Sequence, residues 1–375
     1  MVNGIMSMHF TIEKNPQIDR QILADLEIIK ETLHKVIPVE NFVSLFLVGG
    51  FGRGEGGVIQ KQGRHRPAND YDLELITRRP LKASLLKKTG NEMAEKLAIP
   101  WVHIESNTLA KLRHLKFTMY NYDLKYASLF LEGEKEVLDA IPEMDGASMP
   151  WREAENLLFT RLWCFYGAFR EDMRKRALFP EEASLLTGQI SKALLAIEDT
   201  YLILAGKYHP SYLQRIKRLE NTDIPRGIIP LCQWATEVKL TPEMVDRPNL
   251  LELLFMVRNH YLDTLFHLYS TAYKRRLRDW DHYAQLHFTN PYTLLKRLYF
   301  RLVKRSHWFI EYLNFNLGMI YLTDALGQKE IQEQSLRRAD FYLGRIKGYQ
   351  KPAKLNWTSL QEKALKLRER LWHSE

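Results

Sequence analysis

Asp70, Asp72 and Glu74 occupy every second position of Asp-Tyr-Asp-Leu-Glu-Leu-Ile-Thr, residues 70–77. In a strand, alternate side chains share a face, so this spacing predicts three carboxylates on one side of a pleat. Crowded carboxylates repel, and burying them costs several kcal/mol (roughly) unless a cation joins them. A divalent metal would supply that cation. Just upstream, the apolar run 43–48 stops at Gly49 and Gly50, which reads as a buried strand ended by a turn. Backbone N–H groups in such a turn are free to approach phosphates that the metal bridges. The residue types therefore point to metal-assisted chemistry on a phosphate chain.

The elements that must position these groups are legible around them. Ile18, Ile22, Leu26, Ile29 and Leu33 recur at helical spacing, predicting an amphipathic helix over 16–37, stopped by Pro38. Residues 56–69 read as an exposed loop or hairpin in which Lys61, Arg64, His65 and Arg66 could close over a triphosphate. A helix is expected over 81–97 and a strand over 101–105, with Trp101, His103 and Glu105 on one face. From Trp151 onward the periodicity is almost wholly helical, with strong patterns over 247–274 and 291–326. The fold class expected is α+β, a small mixed sheet followed by a large all-α region. The expected division is 1–148 and 149–375, with sub-bundles 149–245 and 246–375.

Gly49-Gly50, the spacer and Asp70-Tyr71-Asp72-Leu73 resemble the pattern of the nucleotidyltransferase superfamily, which includes DNA polymerase β and the aminoglycoside nucleotidyltransferases. Gly-Gly-Phe-Gly-Arg-Gly-Glu, residues 49–55, is also similar to the form seen in the uridylyltransferases of nitrogen regulation. The spacer 51–69 is longer than usual for the family. The resemblance is specific over about 40–80 and plausible over 20–145. It implies transfer of a nucleoside monophosphate from an NTP, with ATP the leading candidate, to a hydroxyl acceptor, with pyrophosphate released. It implies Mg²⁺ or Mn²⁺ held by Asp70, Asp72 and a third acid. Glu105 is the candidate by charge, His103 is nearer the family position, and Asp123 is a further option. Gly49 and Gly50 would meet the β- and γ-phosphates, Arg53 the pyrophosphate, and Lys192 of a later helix the triphosphate, with Asp199 facing the acceptor. The element 118–141 would close the catalytic domain, with a boundary at 146–150. Glu74, one step deeper, reads as structural.

Other patterns occur in the same chain. Gly52-x-Gly54-x-x-Gly57 matches a dinucleotide-binding pattern, but Val58 to Pro67 does not open a helix and the acids begin their strand instead of ending it. There is no Gly-x4-Gly-Lys-Ser/Thr. A catalytically inactive relative acting as a regulator or antitoxin would share the same fold. Residues 274–305 carry nine Lys/Arg against two Asp within a chain of net charge +9, a segment that could attract RNA or a triphosphate. Arg276-x5-His282 and Arg301-x5-His307 loosely match HEPN ribonucleases. His260, Asp263 and His267 share a helix face that could ligate a metal. No apolar run approaches the roughly 18 residues needed to span a bilayer, residues 1–19 lack a signal-peptide pattern, and only Cys164 and Cys232 occur. A cytoplasmic chain without membrane association is the expectation.

Overall fold

A computed structural model describes residues 8–61, 63–68, 70–243 and 249–372. It is mixed α+β, with a small sheet near the start and helices through the rest. Two compact units divide it: Met1–Glu153 with Tyr201–Asp246, and Ala154–Thr200 with Arg247–Glu375.

The first unit begins with α1 (Pro16–Val36), capped by the Asn15 side chain, which accepts from the Gln17 N–H. Strand β1 (Phe42–Val48) runs into a short helical turn, α2 (Gly49–Gly52). The stretch read as a loop or hairpin is a hairpin, β2 (Val58–Lys61) paired antiparallel with β3 (Arg64–Pro67); Gln62 and Asn69 of that stretch lie outside the described residues. Then come β4 (Asp70–Thr77), α3 (Ala83–Leu97), β5 (Trp101–Thr108), α4 (Leu109–Leu112), α5 (Met119–Ala127) and β6 (Leu129–Gly133).

The main sheet has the order β5-β4-β1-β6, with β1 antiparallel to both β4 and β6 and β4 parallel to β5. Its two faces bury different sets. Leu45, Leu47, Leu73, Leu75, Val102 and Ile104 pack with the apolar stripe of α1, Ile18 through Leu33. Each such side chain, once fully buried, contributes about 1.5–3 kcal/mol, so this face fixes which way every strand is turned. The opposite face carries Phe46, Val48 and Ile76 against Leu112 and Leu124 of α4 and α5. By alternation, Asp70, Asp72 and Glu74 belong to that second face, as do Trp101, His103 and Glu105.

The remaining helices are α6 (Trp151–Arg161), α7 (Trp163–Tyr166), α8 (Pro180–Leu204), α9 (Tyr212–Leu219), α10 (Ile229–Leu240), α11 (Leu250–Tyr273), α12 (Trp280–Thr289), α13 (Pro291–Leu302), α14 (Trp308–Ala325), α15 (Glu333–Leu343) and α16 (Trp357–Trp372). Residues 201–246, which include α9 and α10, pack with the sheet-bearing unit. The described part of the second unit is helical apart from an isolated bridge between Leu326 and Ile331. The single helical pattern over 291–326 is interrupted: Arg305 takes φ +50°, and Ser306 N–H turns back to the Phe300 carbonyl at 2.9 Å. Of its aromatic stripe, Phe309, Phe315 and Tyr321 are core, whereas Tyr292 and Tyr299 are exposed. Both cysteines are buried and unbridged. Among the described residues no helix is long and apolar enough to cross a membrane.

Candidate active site

Register decides what faces Asp72. On one side β1 puts Val48 opposite it, so the turn at Gly49 follows immediately; on the other, β5 puts His103 opposite it. Gly49 has φ +65°, and a Cβ there would stand 2.4 Å from Asp72 Oδ2. The carboxylate thus lies against a backbone bend that only glycine can supply. A Cβ at Gly52 would lie 2.2 Å from the Leu47 carbonyl oxygen, so the bend also closes on its own strand.

Asp72 is half-buried and makes no hydrogen bond or ion pair with the described residues. Burial first, then the Asp70 charge, pushes its carboxyl up to about 6, while His103, Lys239 and Arg53 pull the other way from a distance. Glu74, one step deeper, has no solvent exposure; it accepts from Asn107 Nδ2 at 2.9 Å and from the Tyr120 hydroxyl at 2.6 Å. One oxygen ties β4 to β5 through Asn107, and the other ties the sheet to α5 through Tyr120.

Register separates the candidates for the third position. Glu105 pairs in register with Glu74, and His103 holds the position beside Asp72. His103 Nε2 and Glu105 Oε1 are 3.0 Å apart, and this bond raises the imidazole pKa and lowers that of the carboxyl. Among the described residues no group of three or more His, Cys, Asp or Glu is arranged to hold a metal ion. In register Glu105 stands level with Glu74 and His103 with Asp72, and both Glu105 and His103 line the pocket that holds Asp72. His260, Asp263 and His267 on α11 form no such group either, and Asp263 is exposed.

Asp123, the other option, is held elsewhere. Its carboxylate lies 3.3 Å from Arg53 Nη1 and 3.8 Å from Arg215 Nη2, and it accepts from the Tyr208 hydroxyl at 3.1 Å. Burial pushes its carboxyl up against the pull of both guanidinium groups. Arg53 is nearly buried, with its guanidinium over the Tyr212 ring and its Nε without a hydrogen bond. Glu55 accepts from Ser211 Oγ at 2.6 Å and from the N–H groups of Tyr212 at 2.8 Å and Leu213 at 3.3 Å. It therefore caps α9, fastening that helix to the glycine turn. Lys192 lies on α8 in the second unit, where its charge acts on Cys164, and Asp199 of the same helix is buried rather than solvated.

Gly49, Arg53, Asp72, His103, Glu105 and Lys111 are among the walls of one pocket of about 510 Å³. Arg215, Tyr208 and Lys239 have no local signal in the sequence: they arrive from a stretch well over a hundred residues downstream. Glu55 stands in the Gly-Arg-Gly-Glu motif, so its position was visible although its capping role was not.

No protein-family model matches the chain, and no curated protein matches it. Among solved structures it is similar to a spectinomycin adenyltransferase from Enterococcus faecialis, crystallised with ATP and spectinomycin. The identity is 12%, over 64% of this chain and 98% of that one, with a TM-score of 0.40. A likeness at that score does not bear on fold or chemistry.

Proposed function

We propose that the chain is a metal-dependent nucleotidyltransferase that moves a nucleoside monophosphate from an NTP to a hydroxyl acceptor. The observation that carries this reading is the Asp72 carboxylate, unpaired, its pKa raised by burial and then by Asp70, and lying against the bare backbone at Gly49. A protein that keeps such a carboxylate without a cationic partner has a site suited to an incoming cation.

Two carboxylates fit the way Mg²⁺ is usually bound, by one or two acids together with substrate phosphates. Asp70 and Asp72 would hold it, and when bound it supplies the positive charge that offsets the triphosphate. The rest of the chemistry falls to positioning. The backbone at Gly49 and Gly50 admits the β- and γ-phosphates without steric conflict. Arg53, which lines the pocket, offers a charged donor to the departing pyrophosphate. The acceptor hydroxyl attacks the α-phosphorus, the bond to the pyrophosphate oxygen breaks with its electron pair leaving on pyrophosphate, and the hydroxyl proton passes to solvent water. Glu105 orients His103 beside the site rather than serving as a ligand.

His103 in the position beside Asp72 also favours a second reading, a non-catalytic protein that binds nucleotide on the same surface. One experiment separates the two. The chain is incubated with each α-labelled NTP, Mg²⁺ and a cell extract, and the label is located. Transfer that disappears in both Asp70→Asn and Asp72→Asn supports the enzyme. Transfer retained in both variants refutes it, and nucleotide binding without transfer supports the second reading.

A further inference from the structure

A surface helix ordinarily turns its apolar stripe inward; α13 turns one outward. Thr293 is the one buried side chain of this helix. Phe300 fastens the same side to α14, its ring stacked on that of Phe309 at 5.7 Å with 19° between their planes. At about 100° per residue, Leu295, Leu298 and Leu302 lie on the opposite side. Leu295 is 68% exposed and Leu302 69%, more than any other leucine among the described residues. Val303, just past the helix end, is also exposed. A contiguous apolar stripe of this kind marks a surface that something covers.

The charge beside the stripe restricts what that is. From His282 to Ile310 the sequence has five Lys/Arg and no Asp or Glu. Arg297 and Arg301 flank the leucines on one side and Lys296 on the other, and Lys304 and Arg305 follow the helix. None of the five forms an ion pair with the described residues. A groove of about 480 Å³ lies beside the stripe, lined by Phe300, Phe309 and Ile310 together with Arg297, Arg301 and His307. Hydrocarbon and cation therefore share one hollow.

A second copy of the chain would bring the same five cations, and like charges would oppose the pairing of the leucines. A nucleic acid would answer the charge but meet the leucines with phosphate. Cations on both sides of the stripe ask for negative charge spread over an area, which a protein partner presents only if shaped to fit. An anionic lipid surface supplies it everywhere, above an apolar phase. At 12 residues α13 is far short of the roughly 20 needed to span a bilayer, so it suits the interface plane. We propose that α13 is a membrane-surface helix. Leu295, Leu298 and Leu302 would enter the boundary between headgroups and acyl chains, with Arg297, Arg301, Lys304 and Arg305 against lipid phosphates. The expectation of a chain without membrane association rested on spanning and signal segments, and such a helix needs neither. The proposal goes beyond nucleotidyl transfer and does not rest on it.

The test sediments the full-length chain, without nucleotide or metal, with two kinds of vesicle. One is phosphatidylcholine alone; the other is phosphatidylcholine and phosphatidylserine in roughly equal parts. Binding to the mixed vesicles is expected, about tenfold or more tighter than to phosphatidylcholine and weakened by salt. Leu295→Gln with Leu302→Gln should weaken it about tenfold or more, and Arg297→Gln with Arg301→Gln about twentyfold. All four side chains are exposed, so both variants should fold, which thermal melts check. Asp72→Asn should bind as the wild type does. Absence of sedimentation with the mixed vesicles overturns the proposal, including where RNA or an acidic protein is bound instead. Binding unchanged in the leucine variant also overturns it, since the attraction would then be electrostatic alone. A dimer that the leucine variant dissolves, in a chain that ignores both vesicles, would give the face to a second copy.

Discussion

Replacing Asp72 with Asn should remove nucleotidyl transfer and, at the same time, stabilise the metal-free protein. Burial and Asp70 hold the Asp72 carboxyl at about 6 against an ordinary 3.8. An acid whose folded pKa lies above its unfolded value destabilises the fold once it is ionised. That cost is full above the folded pKa, shrinks as pH falls through it, and is gone below the unfolded value. At about 1.4 kcal/mol for each tenfold, the gap from 3.8 to about 6 corresponds to an upper value near 3 kcal/mol. Asp72 keeps some contact with water, so roughly 2 kcal/mol is the working expectation. For a unit of roughly 150–250 residues that amounts to about 4–8 °C in melting temperature. The assay is a pair of thermal melts in EDTA at pH 8 and pH 4. Asp72→Asn should melt higher than wild type at pH 8, and the difference should shrink to a small fraction of that at pH 4. Added Mg²⁺ should raise the wild type and close the gap at pH 8. A variant no more stable than wild type at pH 8, or a gain independent of pH, would refute the claim that this carboxylate is held unpaired.

Gly49→Ala forces a left-handed φ on a residue with a Cβ and drives that atom into Asp72 Oδ2; about 1–3 kcal/mol of stability should be lost in a urea melt, and Mg²⁺-dependent NTP binding with it. Arg215→Met removes one of the two guanidinium partners of Asp123, so the fold should lose roughly 2–4 kcal/mol, with Asp123→Asn restoring part of it in the double variant. Tyr120→Phe strips one of the two hydrogen bonds from the fully buried Glu74; the expected cost is about 1.5–3 kcal/mol by denaturant midpoint, and unchanged stability would mean that Glu74 is folded in its neutral form.

The carboxylate strand and the glycine turn were legible because local rules determine them. An apolar run halted by Gly49-Gly50 and strict alternation at 70–74 require no knowledge of distant residues. Alternation assigns a face but not a level along it, so it leaves open which of His103 and Glu105 stands beside Asp72. His103 and Glu105 share a face under any register, and sliding β5 by two residues would have exchanged them beside Asp72. The pairing adopted, Asp72 with His103, depends on how Val102 and Ile104 pack against the α1 side of the sheet. The association of 201–246 with the first unit was beyond reach for a similar reason. It depends on Glu55 meeting the N-terminus of α9 and on Arg215 meeting Asp123, contacts between segments whose own patterns are merely helical.

The distribution of positive charge around the pocket carries the functional argument further than the acids do alone. Arg53, Arg215 and the Tyr208 hydroxyl gather on Asp123, while Asp72, a few ångströms of backbone from Gly49, has none of them in direct contact. If the cluster were only a means of holding the sheet to α9, the cations would be expected to neutralise the acid most strained by burial and by a like-charged neighbour. Asp72 is that acid, and its relief from Lys239 and Arg53 comes only at a distance. The direct pairs fix Asp123 and, with Glu55 capping α9, make the glycine turn rigid. A held bend facing an unpaired carboxylate is the arrangement that the proposed cation and triphosphate would complete.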